Sequence, residues 1–200
     1  MDHADHVALI RRGVEGAGPR WLELGSGDGA FTTALADVLG PGGSIEAVDR
    51  DGGGLRAAAA AVADRFPAVR VTANQDDFTQ GLPDGPFDGV LAANSLHFVA
   101  DRRAVLARIR VVLRPRGRLL VVEYDADTGN PWVPHPFSFG SWRSEAAEAG
   151  FDQVELLHRV PSRFLGAIYG AVATSPRPSD DHEDPVVDQT VGSGAPLLRR

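Results

Sequence analysis

Five short apolar runs, separated for the most part by helical stretches, lie between residues 20 and 124, and this alternation constrains the fold more than any other feature. The runs are "RWLEL" (20–24), "SIEAV" (44–48), "VRVTAN" (69–74), "FDGVLAAN" (87–94) and "RLLVVEY" (118–124). Between them lie "AFTTALADVL" (30–39), the alanine-rich "GLRAAAAAVADRF" (54–66) and "RRAVLARIRVVL" (102–113). "GPGG", Pro67, and Pro115 with Gly117 stop these helices in turn. Strands joined through helices must run parallel, so the pattern predicts an α/β fold with a doubly wound, mostly parallel sheet. The fifth run is almost continuously apolar, as a strand covered on both faces requires. Farther on, "FGSWRSEAAEAGF" (139–151) reads as a helix, and "QVELLHRV" (153–160) and "FLGAIYGAVA" (164–173) read as strands. The few residues around Pro161 that join those two are too short for a helical crossover. They therefore form a C-terminal antiparallel hairpin, which brings the sheet to seven strands.

The chain of 200 residues suits one domain, expected over 1–174. From about Ser175 the composition turns to Pro, Ser, Asp and Gly without apolar spacing, which predicts a disordered tail over 175–200. There is no cysteine, so disulfides, thiolate metal sites and cysteine nucleophiles are excluded. All 20 residues counted as Lys+Arg are arginine, which also excludes Schiff-base lysines and the lysine of a Walker loop. The net charge of -7 argues against a nucleic-acid partner. The arginines at 102, 103, 108, 110, 114, 116 and 118 follow one helix and its exit, where a solvated face is the ordinary reading. No apolar run reaches the length of a membrane span, and the N-terminus lacks the cationic start and long apolar core of a signal peptide. The expectation is a cytoplasmic protein without a membrane partner.

The sequence "LELGSGDGAFT" (22–32) follows the first strand. Ligands of such sheets bind outside the carboxyl ends of the strands, and Gly25, Gly27 and Gly29 open the backbone there to close approach. A dinucleotide loop has the spacing G-x-G-x-x-G and presents a helix N-terminus to pyrophosphate. Here the spacing is G-x-G-x-G, and Glu23 and Asp28 would meet an anion with two carboxylates. A cationic ligand suits them better. Glu23 either braces the loop from behind or contacts the ligand, and Asp28 either caps the next helix or does the same.

"WLELGSGDGAF", "EAVDRD", "NQDDF", "FDGVLAANSLHFV" and "LRPRGRLLVVE", in that order, resemble the successive motifs of class I S-adenosylmethionine-dependent methyltransferases. The resemblance covers roughly residues 18 to 173 and includes the terminal hairpin. It implies S-adenosylmethionine as the cofactor. It also implies Glu23, Gly25, Gly27 and Gly29 around the methionine arm, Asp49 on the ribose hydroxyls, and Asp77 (or its rival Asp76) on the adenine amino group. Phe78 would offer its backbone N–H to the adenine ring, and Asn94 its carbonyl to the methionine ammonium. The family often places a bulky apolar residue against adenine where this chain has Arg50, whose guanidinium can stack on an aromatic plane instead.

Methyl transfer needs a base only if the acceptor arrives protonated. His97, three residues past Asn94, is the candidate, because an imidazole titrates near neutrality. Its alternative is a packing residue beside Phe98. Tyr124, Trp132 and His135 are candidate acceptor-pocket residues, the latter two within the loop "NPWVPHPFSFGSW" (130–142). No metal site is expected. The metal-dependent catechol-type enzymes need a carboxylate set that is not legible here, and "ANSLH" stands where amino-methylating enzymes carry a "DPPY"-type sequence. The acidic chain favours a small organic acceptor. The alternatives are a nicotinamide-dependent oxidoreductase and a non-catalytic subunit that binds S-adenosylmethionine.

Overall fold

In the computed structural model, which describes residues 1–162 and 164–177, seven strands form one sheet in the order β3-β2-β1-β4-β5-β7-β6. The strands are β1 (Arg20–Leu24), β2 (Ser44–Asp49), β3 (Arg70–Gln75), β4 (Phe87–Ala93), β5 (Leu113–Tyr124), β6 (Asp152–Ser162) and β7 (Gly166–Thr174). The first five run parallel, and β7 lies antiparallel between β5 and β6. The doubly wound sheet and the C-terminal hairpin are therefore as the sequence predicts. Most of the expected tail, 178–200, lies outside the described residues.

Side-chain alternation along the strands divides the core between two faces. Trp21, Ile45, Ala47, Leu91, Leu120 and Val122 point to one face, under α1 (His3–Val14), α2 (Ala30–Leu39) and α3 (Gly52–Arg65). Leu22, Leu24, Val48, Val90, Ala92 and Val121 point to the other, under α4 (Arg103–Val112) and α5 (Phe139–Glu148). This even division is why the central strands read as continuous apolar runs. No described helix is long and apolar enough to cross a membrane.

Several boundaries shift by a few residues, and two of the shifts have a visible cause. Helix α3 begins at Gly52, because the Asp51 side chain accepts from the Gly53 N–H at 2.8 Å and caps the helix there. Strand β5 begins at Leu113 instead of 118, with Leu113 paired to Phe87 and the Gly117 carbonyl accepting from the Ser175 N–H at 2.8 Å. Proline at 115 ends helix α4, and the extended backbone it favours is used as strand. Helix α1 has no counterpart in the sequence reading. Asp2 and Asp5 form a capping box at its start, and Val7, Leu9, Ile10 and Val14 are buried against the sheet. The His3 ring is 2.8 Å from an Asp37 carboxylate oxygen, which ties α1 to α2.

Candidate functional site

The strand order reverses between β1 and β4, and the loops leaving those two strands frame the site. Gly25 has φ +73°, and a Cβ there would stand 2.5 Å from the Ser95 Cβ across the gap between the two loops. Gly29 has φ +85°, and its Cβ would collide with that of Ala58 on α3. A left-handed backbone and close packing both require glycine at these two positions. Asn94, at the exit of β4, also has positive φ (51°) and donates its N–H to the Val122 carbonyl at 2.8 Å.

Two cavities open on this loop. The larger, ≈ 440 Å³, is lined by Gly25, Gly27, Asp49, Arg50, Asp77, Phe78, Asn94 and Phe98, among others. It thus gathers most of the residues expected around the ribose and adenine, and it includes Asp77 but not Asp76. Asp76 accepts from the Asp77 N–H at 2.7 Å, whereas Asp77 is held below the usual carboxylate range by the Thr79 hydroxyl and N–H. Asp49 is more than a ligand acceptor. Its two oxygens take the N–H groups of Gly27 and Asp51, each at 2.8 Å, so it bends the glycine loop and the start of α3 toward each other. Each oxygen keeps a lone pair for a hydroxyl. The smaller cavity, ≈ 200 Å³, lies on the other side of the loop and is lined by His6, Glu23, Ser26, Asp28, Phe31 and Asn94, among others. Asp28 lies 3.4 Å from the Ala30 N–H and Gly29 is the N-cap of α2, so Asp28 leans on the helix start as well as on the cavity.

Five buried atoms around the loop lack a hydrogen-bond partner among the described residues: Glu23 Oε2, Ser26 Oγ, Thr32 Oγ1, Asn94 Oδ1 and Ser95 Oγ. Unpaired buried polar atoms are costly, so their gathering at one loop marks a place for a polar ligand. Burial pushes the Glu23 carboxyl up to about 7, the Asp49 charge adds to the rise, and the neighbouring Thr32 hydroxyl works the other way. Burial also holds His6 below the usual imidazole range.

At the next strand end the structure reveals a pair that the sequence reading missed. His97 lies in the 3-10 turn Leu96–Phe98, and its Nδ1 is 2.8 Å from Glu123 Oε2, with both side chains buried. The His97 backbone N–H donates to Glu123 Oε1 at 3.2 Å. A carboxylate only accepts, so the proton of a neutral imidazole lies on Nδ1 and the lone pair on Nε2. The signal was an acid inside the buried run "LLVVEY", where an unpaired charge would not be tolerated.

Of the expected pocket residues, Tyr124 and Trp132 are brought together, though not directly. Phe164 lies 5.8 Å from the Tyr124 ring and 6.2 Å from the Trp132 ring, and the Tyr124 ring is 6.1 Å from His97. Phe98, 59% exposed, lies 4.2 Å from the His97 ring with the two planes tilted by 49°. The His135 side chain is exposed; its backbone N–H donates to the His97 carbonyl at 3.0 Å and steadies the turn. Among the described residues no group of three His, Asp or Glu is placed to hold a metal ion.

Residues 22–119 match the family model of a methyltransferase domain. This match and the fold together are consistent with the class I S-adenosylmethionine-dependent methyltransferase family. It is 31% identical over 135 residues to the lovastatin diketide synthase of Aspergillus terreus, a match that takes in 64% of this chain and 6% of that protein. It is 33% identical over 115 residues to the ubiquinone/menaquinone biosynthesis C-methyltransferase of Ectopseudomonas mendocina, covering 57% of this chain and 44% of that one. Its fold is that of the N-terminal domain of EvdMO1, solved with S-adenosylhomocysteine bound, at a TM-score of 0.63 and 23% identity over 88% of this chain and 82% of that one. The cofactor of the family fits the site. The orphaned polar atoms surround the glycine loop, Glu23 and Asp28 line the cavity beside it and would suit a ligand with a cationic sulfur, and Asp49 retains acceptor capacity.

Proposed function

We propose that this chain methylates a small apolar acceptor at a carbon made acidic by a neighbouring carbonyl, with His97 as the base that removes the proton. The observation that carries this reading is the buried His97–Glu123 pair at the carboxyl edge of the sheet. S-adenosylmethionine supplies an electrophilic methyl group on a positively charged sulfur. Such a methyl needs an electron pair to receive it, and a carbon acid has none until its proton leaves. His97 Nε2 accepts that proton, and Glu123 stabilises the imidazolium through Nδ1 and keeps the ring oriented. Glu123 acts through His97 and is a positioning residue. Phe98 and Tyr124 lie beside the imidazole, and Phe164 and Trp132 continue the aromatic row from Tyr124, an apolar surface on which a flat or aliphatic acceptor can lie. The name of the C-methyltransferase relative supports carbon as the receiving atom. A non-catalytic subunit has no use for a carboxylate-backed base, which favours the enzyme reading. The methyltransferase family match favours it over the nicotinamide alternative.

The test has two stages. Calorimetry with S-adenosylhomocysteine and with NADH comes first, and binding of the former alone is expected. Methyl-labelled cofactor is then offered with a panel of β-dicarbonyl compounds and phenols to wild type, His97→Gln and Glu123→Gln. Carbon-methylated product is expected from wild type, with kcat lowered about a hundredfold or more in His97→Gln, the usual scale of general-base catalysis. Product methylated only at oxygen, or a Glu123→Gln enzyme as fast as wild type, would refute the proposal.

A further inference from the structure

The cavity on the α1 side of the glycine loop contains a group that nothing above has used. Its charged and titratable lining residues are His6, Glu23 and Asp28. The methionine arm of the cofactor carries an ammonium and a carboxylate. Glu23 and Asn94 present orphaned acceptor oxygens there, which suits the ammonium. The carboxylate is harder to place, since two acids line the same cavity and Asp49 lies on the other side of the loop. The chain has no lysine, and Arg50, the only arginine that lines either cavity, stands in the larger one with Asp49 and Asp77. Two side chains lining the smaller cavity can donate from nitrogen to an anion, the Asn94 amide and the His6 ring; the Asn94 oxygen is already given to the ammonium at the β4 exit, so His6 is the donor on the α1 side. Ser26 Oγ, buried and without a partner among the described residues, offers a second donor beside it.

Helix α1 holds His6 firmly in this position. His3 ties the helix to Asp37 on α2, one turn further Val7, Leu9 and Ile10 are buried, and the His6 ring packs 4.7 Å from Phe31. A fixed imidazole at the wall of a small cavity loses little entropy when it binds. We infer that His6 donates a hydrogen bond to the carboxylate of the methionine arm, with Ser26, and so makes α1 a part of the cofactor site. A neutral imidazole suffices, because one ring nitrogen always carries a proton. The inference rests on the cofactor reading given above.

The test compares S-adenosylhomocysteine with its decarboxylated analogue, which keeps the adenosine, the sulfur and the amine. Both are titrated by calorimetry into wild type, His6→Ala and His6→Gln. The His6→Ala variant should bind S-adenosylhomocysteine about tenfold more weakly, the lower end of the usual scale for a hydrogen bond to a charged group. It should bind the decarboxylated analogue within about twofold of wild type, since the contact was never made. Glutamine carries an N–H of similar reach and should restore most of the loss. An equal loss for both ligands in His6→Ala would assign His6 to packing against Phe31 and overturn the inference, and so would no loss for either. Failure of wild type to bind S-adenosylhomocysteine at all would overturn the cofactor reading itself, a result distinct from either.

Discussion

Replacement of Glu23 by glutamine should remove a dependence of stability on pH that the buried carboxyl imposes. Glu23 is 1% exposed, so solvent screens its charge very little. Burial and the Asp49 charge raise its carboxyl from 4.5 to about 7, which corresponds to about 3 kcal/mol against the ionised form. The sign follows from proton counting. In the unfolded chain the group loses its proton near its ordinary value, whereas the folded chain keeps it to about pH 7. The folded state therefore binds more protons between those limits, and stability falls as pH rises through that window and levels off above it. A glutamine is close in shape and has no proton to lose, so its contribution does not change. Wild type and Glu23→Gln are compared by urea unfolding from pH 5 to pH 8.5. The difference between them cancels what all other groups contribute. It should shift in favour of the variant by about 3 kcal/mol across the window, or by several degrees in Tm for a domain of this size. Parallel curves would show that Glu23 ionises normally, and the account of a strongly desolvated acid beneath the glycine loop would fail.

Asp49→Ala should weaken S-adenosylhomocysteine binding by about 1.5–3 kcal/mol in a calorimetric titration. It should also lower Tm, since the Gly27 and Asp51 N–H groups both lose their acceptor; a stable variant with unchanged affinity would contradict both roles. Gly29→Ala places a Cβ against Ala58 at a φ of +85° and should cost about 2–4 kcal/mol in denaturant unfolding, the sum of left-handed strain and overpacking. A near-neutral effect would mean that α3 can move away from the loop. Glu123→Gln should lower kcat far more than it raises KM, because it removes an interaction made to the imidazolium that forms during reaction; a pure KM effect would assign Glu123 to acceptor binding.

The sheet was legible because periodicity decides it. The strands of the parallel core lie under helices on both faces, so they read as unbroken apolar runs, and the helices between them end at Gly and Pro. Helix α1 was missed although it carried a signal. Asp2 with Asp5 is a capping box three residues apart, but the apolar stretch behind it is short, and burial against α2, β6 and β7 makes it persist. The cofactor loop was legible as spacing. The use of Asp49 to bend that loop was not, since it depends on where two backbone N–H groups point after folding. The aromatic rim was half legible. Tyr124 and Trp132 were candidates, but Phe164, which connects them, comes from the β6–β7 turn, and no local pattern links it to them.

Glu123 and Glu23 show how the same residue type acquires opposite uses. Both acids close apolar strands and both are buried, and in each case a histidine stands at the same strand-end crevice. What separates them is pairing. Glu123 holds the Nδ1 of His97 at 2.8 Å and its backbone N–H at 3.2 Å, so both its oxygens are hydrogen-bonded inside the fold and Nε2 is left free to accept a proton. Glu23 Oε2 has no such partner among the described residues, and its proton stays on to about pH 7 until a cation arrives. His6 lines that second cavity without being committed to the acid, so it remains a donor. On this reasoning the acid–histidine pair at β4 and β5 is built before the ligand comes and can act as a base. The set at β1 and α1 is completed by the ligand itself, with Glu23 and His6 receiving opposite charges of one methionine arm. The two sites can then be told apart by calorimetry of cofactor binding in buffers of different ionisation enthalpy, since only the clamp holds a carboxyl raised to about 7 that gives up its proton as the ammonium arrives.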